Sequence, residues 1–106
     1  MTNEEAIVRL ARDNDDEPAM IAIAENNENM LRAAIGRYFS DEATCAKALN
    51  SLLVRISWHA KCFMVGQHDA DWWIEHCTQL ESRRLWSEAE GLCGAPEGRS
   101  EGRYCH

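Results

Sequence analysis

The chain has 106 residues, 45% of them hydrophobic, with 18 acidic against 11 basic side chains and a formal charge of −7. That length supports one small domain, and the apolar content excludes a wholly disordered chain. No apolar run approaches the roughly 20 residues that cross a bilayer, so no membrane span is predicted.

Residues 1–30 carry a net charge of −6, residues 31–69 of +2 and residues 70–106 of −3. The acidic first third repels a phosphate backbone, so any nucleic-acid contact must be local or shared with a partner. The start, Met1-Thr2-Asn3-Glu4-Glu5, has neither a basic flank nor an apolar stretch, and a cytoplasmic location is the expectation.

A first helix is predicted from about Asn3 to Asp13, since Ile7, Leu10 and Ala11 recur at helical spacing and Thr2 with Glu5 has the spacing of a capping box. Asn14, a residue that tolerates the left-handed conformation, is expected to stop it. Asp15 is the expected N-cap of a second helix that begins near Asp16, with Glu17 and Pro18 in its first turn. The stripe Met20, Ile23, Ala24, Asn27, Leu31, Ala34, Ile35, Tyr38 predicts that this second helix is continuous and the longest in the chain. Ser40 is the next candidate N-cap, with Asp41 and Glu42 complementing the dipole. A third helix runs to about Cys62, its inward positions being Cys45, Ala48, Leu49, Leu52, Leu53, Ile56 and Ala60. Met64 to Asp69, with Gly66, reads as a connection. A fourth helix spans about Ala70 to Glu90, with Trp73, Ile74, Cys77, Leu80, Arg84 and Leu85 spaced helically. Four of the six glycines fall in residues 91–106, which read as a flexible tail after a domain of residues 1–90. No period-2 apolar run occurs, so the expected fold is all-α, a compact bundle of about four helices.

The five cysteines, 45, 62, 77, 93 and 105, include no Cys-x-x-Cys pair. His59 and Cys62, with His76-Cys77 and Cys105-His106, contain the donor types of a tetrahedral zinc site. The plainer reading makes Cys45 and Cys77 small buried apolar residues and puts Cys93 and Cys105 in the tail, and no cofactor or metal is predicted. His68, Asp69, Asp71, Glu75 and His76 form the one dense group of potential ligand or acid–base residues, but N-capping accounts for Asp69 or Asp71. With no Ser-His-Asp arrangement and no phosphate-cradling glycine loop, an enzyme is not expected.

Glu4 to Asp15, Ala19-Met20, Tyr38-Phe39-Ser40-Asp41, Leu49 to Trp58, Phe63, and Ala70-Asp71-Trp72-Trp73-Ile74 together resemble region 2 of the bacterial extracytoplasmic-function sigma factors. The resemblance extends from residue 4 to about 86 and rests on the order and spacing of motifs that are each short. It implies a small helical domain that binds the clamp helices of the RNA polymerase largest subunit and reads the promoter −10 element as single-stranded DNA. Active members usually carry a second helical domain for the −35 element. Its absence from this sequence implies a lone region 2 with half the promoter grip.

The sequence departs from the family where the family works. On the polymerase-binding helix, a run like Asp-Leu-Val-Gln-Glu is matched by Lys47-Ala48-Leu49-Asn50-Ser51, which loses both acids and gains a base. On the DNA-facing helix, Thr78-Gln79-Leu80-Glu81 stands for a pattern like Ala-Arg-Asn-Arg, so that two positive charges become an amide and a carboxylate, while Arg83 and Arg84 remain. The resemblance therefore implies Lys47, Leu49, Asn50 and Leu53 as contacts for polymerase or another partner, and His76, Gln79, Arg83 and Arg84 as a weakened nucleic-acid face. Trp58, Trp72, Trp73 and Trp86 are candidate stacking platforms. Trp73 is expected in the core and Trp72 on a surface beside Asp69, Asp71 and Glu75, where the acids favour protein recognition.

Two functions are expected from this. The first is a sigma-like protein acting in transcription initiation or its regulation by binding RNA polymerase core, with weak or lost single-stranded −10 recognition. The alternative is a protein-interaction module that binds a regulator, another sigma factor or itself without touching DNA.

Overall fold

The computed structural model describes residues 1–90, and within them every regular element is helical. The elements are α1 (Asn3–Arg12), α2 (Glu17–Asn26), α3 (Glu28–Gly36), α4 (Glu42–His59), a 3-10 turn (Ala60–Cys62) and α5 (Ala70–Ala89). The expected all-α bundle is correct as a class. The tail expected at 91–106, with Cys93 and Cys105, lies outside the described residues.

Local chemistry fixes the starts. Thr2 Oγ1 accepts from the Glu5 amide at 3.1 Å while Glu5 Oε1 accepts from the Thr2 amide at 2.8 Å, a complete capping box. Asp16, not the expected Asp15, caps α2 through the Ala19 amide at 3.1 Å, and the same carboxylate holds Arg9 at 2.8 Å, which ties α1 to α2. Asp69 caps α5 through the Trp72 amide at 2.9 Å. For α4 the cap is Asp41, not Ser40, with its carboxylate accepting from both the amide and the hydroxyl of Thr44 at 2.9 Å.

Two expectations about stops are corrected. No residue other than glycine has a positive φ among those described, so Asn14 does not end α1 in the left-handed region. Its side-chain amide instead donates to the carbonyls of Leu10 at 3.2 Å and Ser57 at 2.8 Å, capping α1 and fastening it to α4. The long second helix is in fact two. Asn27 Nδ2 donates to Ile23 O at 2.8 Å and to Asn3 Oδ1 at 3.0 Å, and its backbone leaves the helical region at φ −122°, ψ 22°. The side chain satisfies a carbonyl of the last turn of α2, and the bond to Asn3 anchors the break to α1. The longest helix is accordingly α5, with 20 residues.

Ile7, Leu10, Ile23, Leu31, Ile35, Leu52, Ile56 and Ile74 form the fully buried centre. Helix α1 packs on α2, α4, the 3-10 turn and α5, and α3 packs on α4 and α5. Phe63 meets Trp73 edge-on at 5.5 Å, closing the core beneath the α4–α5 connection. That connection turns at Gly66, whose φ of 87° suits glycine, and the Met64 amide donates to His68 Nδ1 at 3.0 Å. No described helix is long and apolar enough to cross a membrane.

Candidate functional site

The outer face of α4 is built by one stripe at helical spacing. Lys47, Asn50, Ser51, Val54 and Trp58 are all exposed, Trp58 by 63%, and the last four together with Arg55 line a shallow depression. Leu49 and Leu53 sit one step round the helix, half-buried against the core. Leu49 also lines a groove with Ile35, Cys45 and the stem of Arg32, between α3 and α4. The residues assigned to partner contact on this helix thus separate: Lys47 and Asn50 stand in solvent, whereas Leu49 and Leu53 mainly pack. Val54 belongs to the exposed stripe and was missed, although its place seven residues after Lys47 puts it there.

On α5, Trp72, His76, Gln79 and Arg83 share one stripe. Trp72 and Arg83 are exposed, His76 stacks on Trp72 with centroids 5.0 Å apart and planes 11° from parallel, and Gln79 Oε1 accepts from Arg37 at 3.4 Å. Trp73 is in the core, as expected, and Trp72 is 53% exposed. Arg84 is turned away from this stripe to Glu81. The four residues assigned to nucleic acid therefore do not form one basic surface.

Glu81, counted at first as a surface charge facing DNA, is 2% exposed. Counting about 100° per residue from Trp73, Glu81 falls at about 80°, between Cys77 at about 40° and Thr78 at about 140°, in the middle of the buried arc. Its carboxylate gathers donors from two helices: Arg84 Nη1 at 2.7 Å, Arg55 Nη1 at 3.3 Å and His59 Nε2 at 2.9 Å from it. Arg55 also forms a fork on Glu88 at 2.6 and 3.1 Å. Burial alone would lower the basicity of the Arg55 guanidinium. Its bonds to Glu88 and then Glu81 more than offset this and raise its pKa. The hydroxyls of Thr78 and Ser82, buried next to Glu81 on α5, have no hydrogen-bond partner among the described residues. The helical register could have revealed this hub, with Glu81 one turn after Cys77 and two turns after Trp73. Residue type concealed it.

Cys77 is buried beside this hub. Desolvation first, and after it the electrostatic influence of Glu81 and then Cys62, push its thiol up to about 12, so it is an inert thiol at neutral pH. Among the described residues no three His, Cys, Asp or Glu side chains gather in a group that could hold a metal ion. Of the zinc ligands considered from sequence, Cys105 and His106 lie outside the described residues, and His59 is engaged with Glu81. His68, Asp69, Asp71, Glu75 and His76 are spread over capping, stacking and solvent.

The arrangement offers surfaces for recognition: an exposed polar–apolar stripe on α4 and an aromatic patch at the start of α5, with Arg9, Arg32, Arg55 and Arg84 committed to carboxylates within the domain. No known protein family matches the chain, and no curated protein or solved structure does so either.

Proposed function

We propose that the protein is a sigma region 2-like factor that acts in transcription by binding RNA polymerase core through the outer face of α4, with promoter −10 recognition weak or lost. The observation that carries this reading is the exposed stripe Lys47, Asn50, Ser51, Val54, Trp58 on the helix that the resemblance assigns to polymerase. An exposed tryptophan framed by small polar residues is the composition of an interface centre rather than of a solvated face. Loss of DNA contact is supported by the fate of the bases around α5. Arg55 and Arg84 are held by Glu81, and Arg37 reaches Gln79, which leaves few cations directed at a phosphate backbone.

The proposal includes no catalytic role. Its test is co-migration of the purified protein with core RNA polymerase on a sizing column at about physiological ionic strength, where weak surface attraction is screened. Wild type is compared with Trp58→Ala and with Lys47→Asp, which restores the acid typical of the family. Co-migration that Trp58→Ala weakens and Lys47→Asp strengthens is the expected result. If none of the three proteins binds, the polymerase reading falls. The second reading, a module for a regulator or another sigma factor, would then take its place, favoured by the exposure of Trp72 among acids.

A further inference from the structure

The start of α5 carries a second apolar surface, separate from the α4 stripe. Met64, Val65 and Trp72 are each more than half exposed. His68 links the Met64–Val65 segment to Trp72, since it accepts from the Met64 amide at 3.0 Å and lies 6.4 Å, ring to ring, from Trp72. His76 stacks on one face of Trp72 at 5.0 Å, 11° from parallel, whereas His68 is tilted by 30° and does not stack on it, so the indole is held in place from one side. Holding a large aromatic side chain in one orientation lowers the entropy lost when a partner settles on it.

The lysine, arginine and carboxylate charges of the segment that carries this patch have one sign. Between Lys61 and Arg83 the sequence contains no lysine or arginine, and it contains Asp69, Asp71, Glu75 and the buried Glu81. Glu75 and Asp71 stand about 60° and 100° round the helix from Trp72, on the same side of it. On that side Asp71 bonds Asn3 at 2.7 Å, and Asp69 and Asp71 line a groove with Glu4 of α1. Two cationic groups also line that groove, the amino terminus of Met1 and Arg9, and Arg9 is held by Asp16 at 2.8 Å. With Glu4, Glu5, Asp69 and Asp71 against them, the rim is net negative. It repels phosphate, and it complements a cation that can lie on an indole face.

We infer that the Trp72 patch docks a basic segment of a partner protein, in which an arginine stacks on Trp72 and adjoining aliphatic side chains cover Met64 and Val65. Arginine fits better than lysine because its planar, weakly hydrated guanidinium stacks on the indole while its edge donates to Glu75 or Asp71. The inference does not depend on the transcription reading, since it uses a different face and any protein carrying such a segment would serve.

The test is fluorescence anisotropy of a labelled synthetic peptide of alternating arginine and leucine, titrated with the full chain at about physiological salt. Two probes run beside it, the same peptide with glutamate for arginine and a single-stranded oligothymidine. The arginine peptide is expected to bind at least about tenfold more tightly than either. Trp72→Ala should cost about tenfold and Glu75→Gln about threefold, whereas Ile21→Ala, which removes a comparably exposed side chain from α2 (48% against 53%), should change nothing. Circular dichroism of each variant verifies folding. The inference is overturned if the arginine peptide does not bind, if the glutamate peptide or the oligonucleotide binds as tightly, or if Trp72→Ala and Ile21→Ala behave alike.

Discussion

Arg55 on α4 donates to Glu81 on α5 across 3.3 Å, joining the two longest helices through a carboxylate that is almost fully buried. A buried carboxylate is tolerable because its oxygens are met by several donors, and removing it leaves those donors without their partner. Glu81→Ala is expected to lower unfolding stability by about 3 kcal/mol, and Glu81→Gln, which keeps the shape and loses the charge, by about half that. Urea titration would show a lower midpoint at unchanged slope. A loss under about 0.5 kcal/mol for Glu81→Ala would mean that the hub contributes little.

The break between α2 and α3 depends on two side chains 24 residues apart, because Asn3 and Asn27 exchange amide bonds of 3.2 and 3.0 Å. Asn27→Ala should cost about 1 kcal/mol, Asn3→Ala a similar amount, and the double variant less than their sum, because each single change removes the same pair. Full additivity in urea titrations would contradict the shared network.

These two features show what could be read in the sequence and what could not. The apolar spacing of Ile7, Leu52, Ile56 and Ile74 and the cap Thr2 are local signals that predicted helices and a start correctly. Asp69 is one of the two caps expected for α5, whereas the expected caps Asp15 and Ser40 each fall one residue before the true ones, Asp16 and Asp41. The Asn27 break was not legible, because the apolar stripe runs straight through it and the bond partner Asn3 is on another helix. Glu81 was misassigned for a related reason. Its burial depends on Arg55 and His59 arriving from α4, and residue type outweighed a register that pointed inward. At the α4 face Lys47 and Asn50 were singled out by the resemblance, and spacing told that one of Trp72 and Trp73 faces outward while the resemblance assigned Trp72.

Two cysteines of the described residues differ sharply in accessibility: Cys62 is exposed and Cys77 buried. With its thiol pushed up to about 12 from 9.0, Cys77 holds roughly a thousandfold less thiolate than an ordinary thiol near neutral pH. Brief iodoacetamide treatment of the native protein, read by peptide mass spectrometry, should label Cys62 and spare Cys77 until denaturant is added. Equal labelling of both in the native state would contradict the packing of α5.

Three carboxylates at helix starts are held below their ordinary range: Glu5 by its bonds from Thr2, Asp16 chiefly by Arg9, and Asp41 chiefly by Thr44. Each binds its proton less readily when folded than when unfolded. Their contribution is therefore complete above the unfolded values of 4.5 for Glu5 and 3.8 for Asp16 and Asp41, and is lost as pH falls through the lower folded ones. Replacing Asp41 by Asn, which can still cap α4, should lower stability at neutral pH only slightly and should flatten the loss of melting temperature below about pH 4. An acid limb as steep as that of wild type would show that Asp41 does not titrate with folding.

Hydrogen exchange of the protein, alone and with an excess of core RNA polymerase, tests the proposed role most directly. Slower amide exchange between Lys47 and Trp58 of α4, with the segment from Gln79 to Arg84 of α5 unchanged, is the result predicted by a protein-contact role through the α4 stripe. Protection confined to Gln79–Arg84, or no protection anywhere, would contradict it.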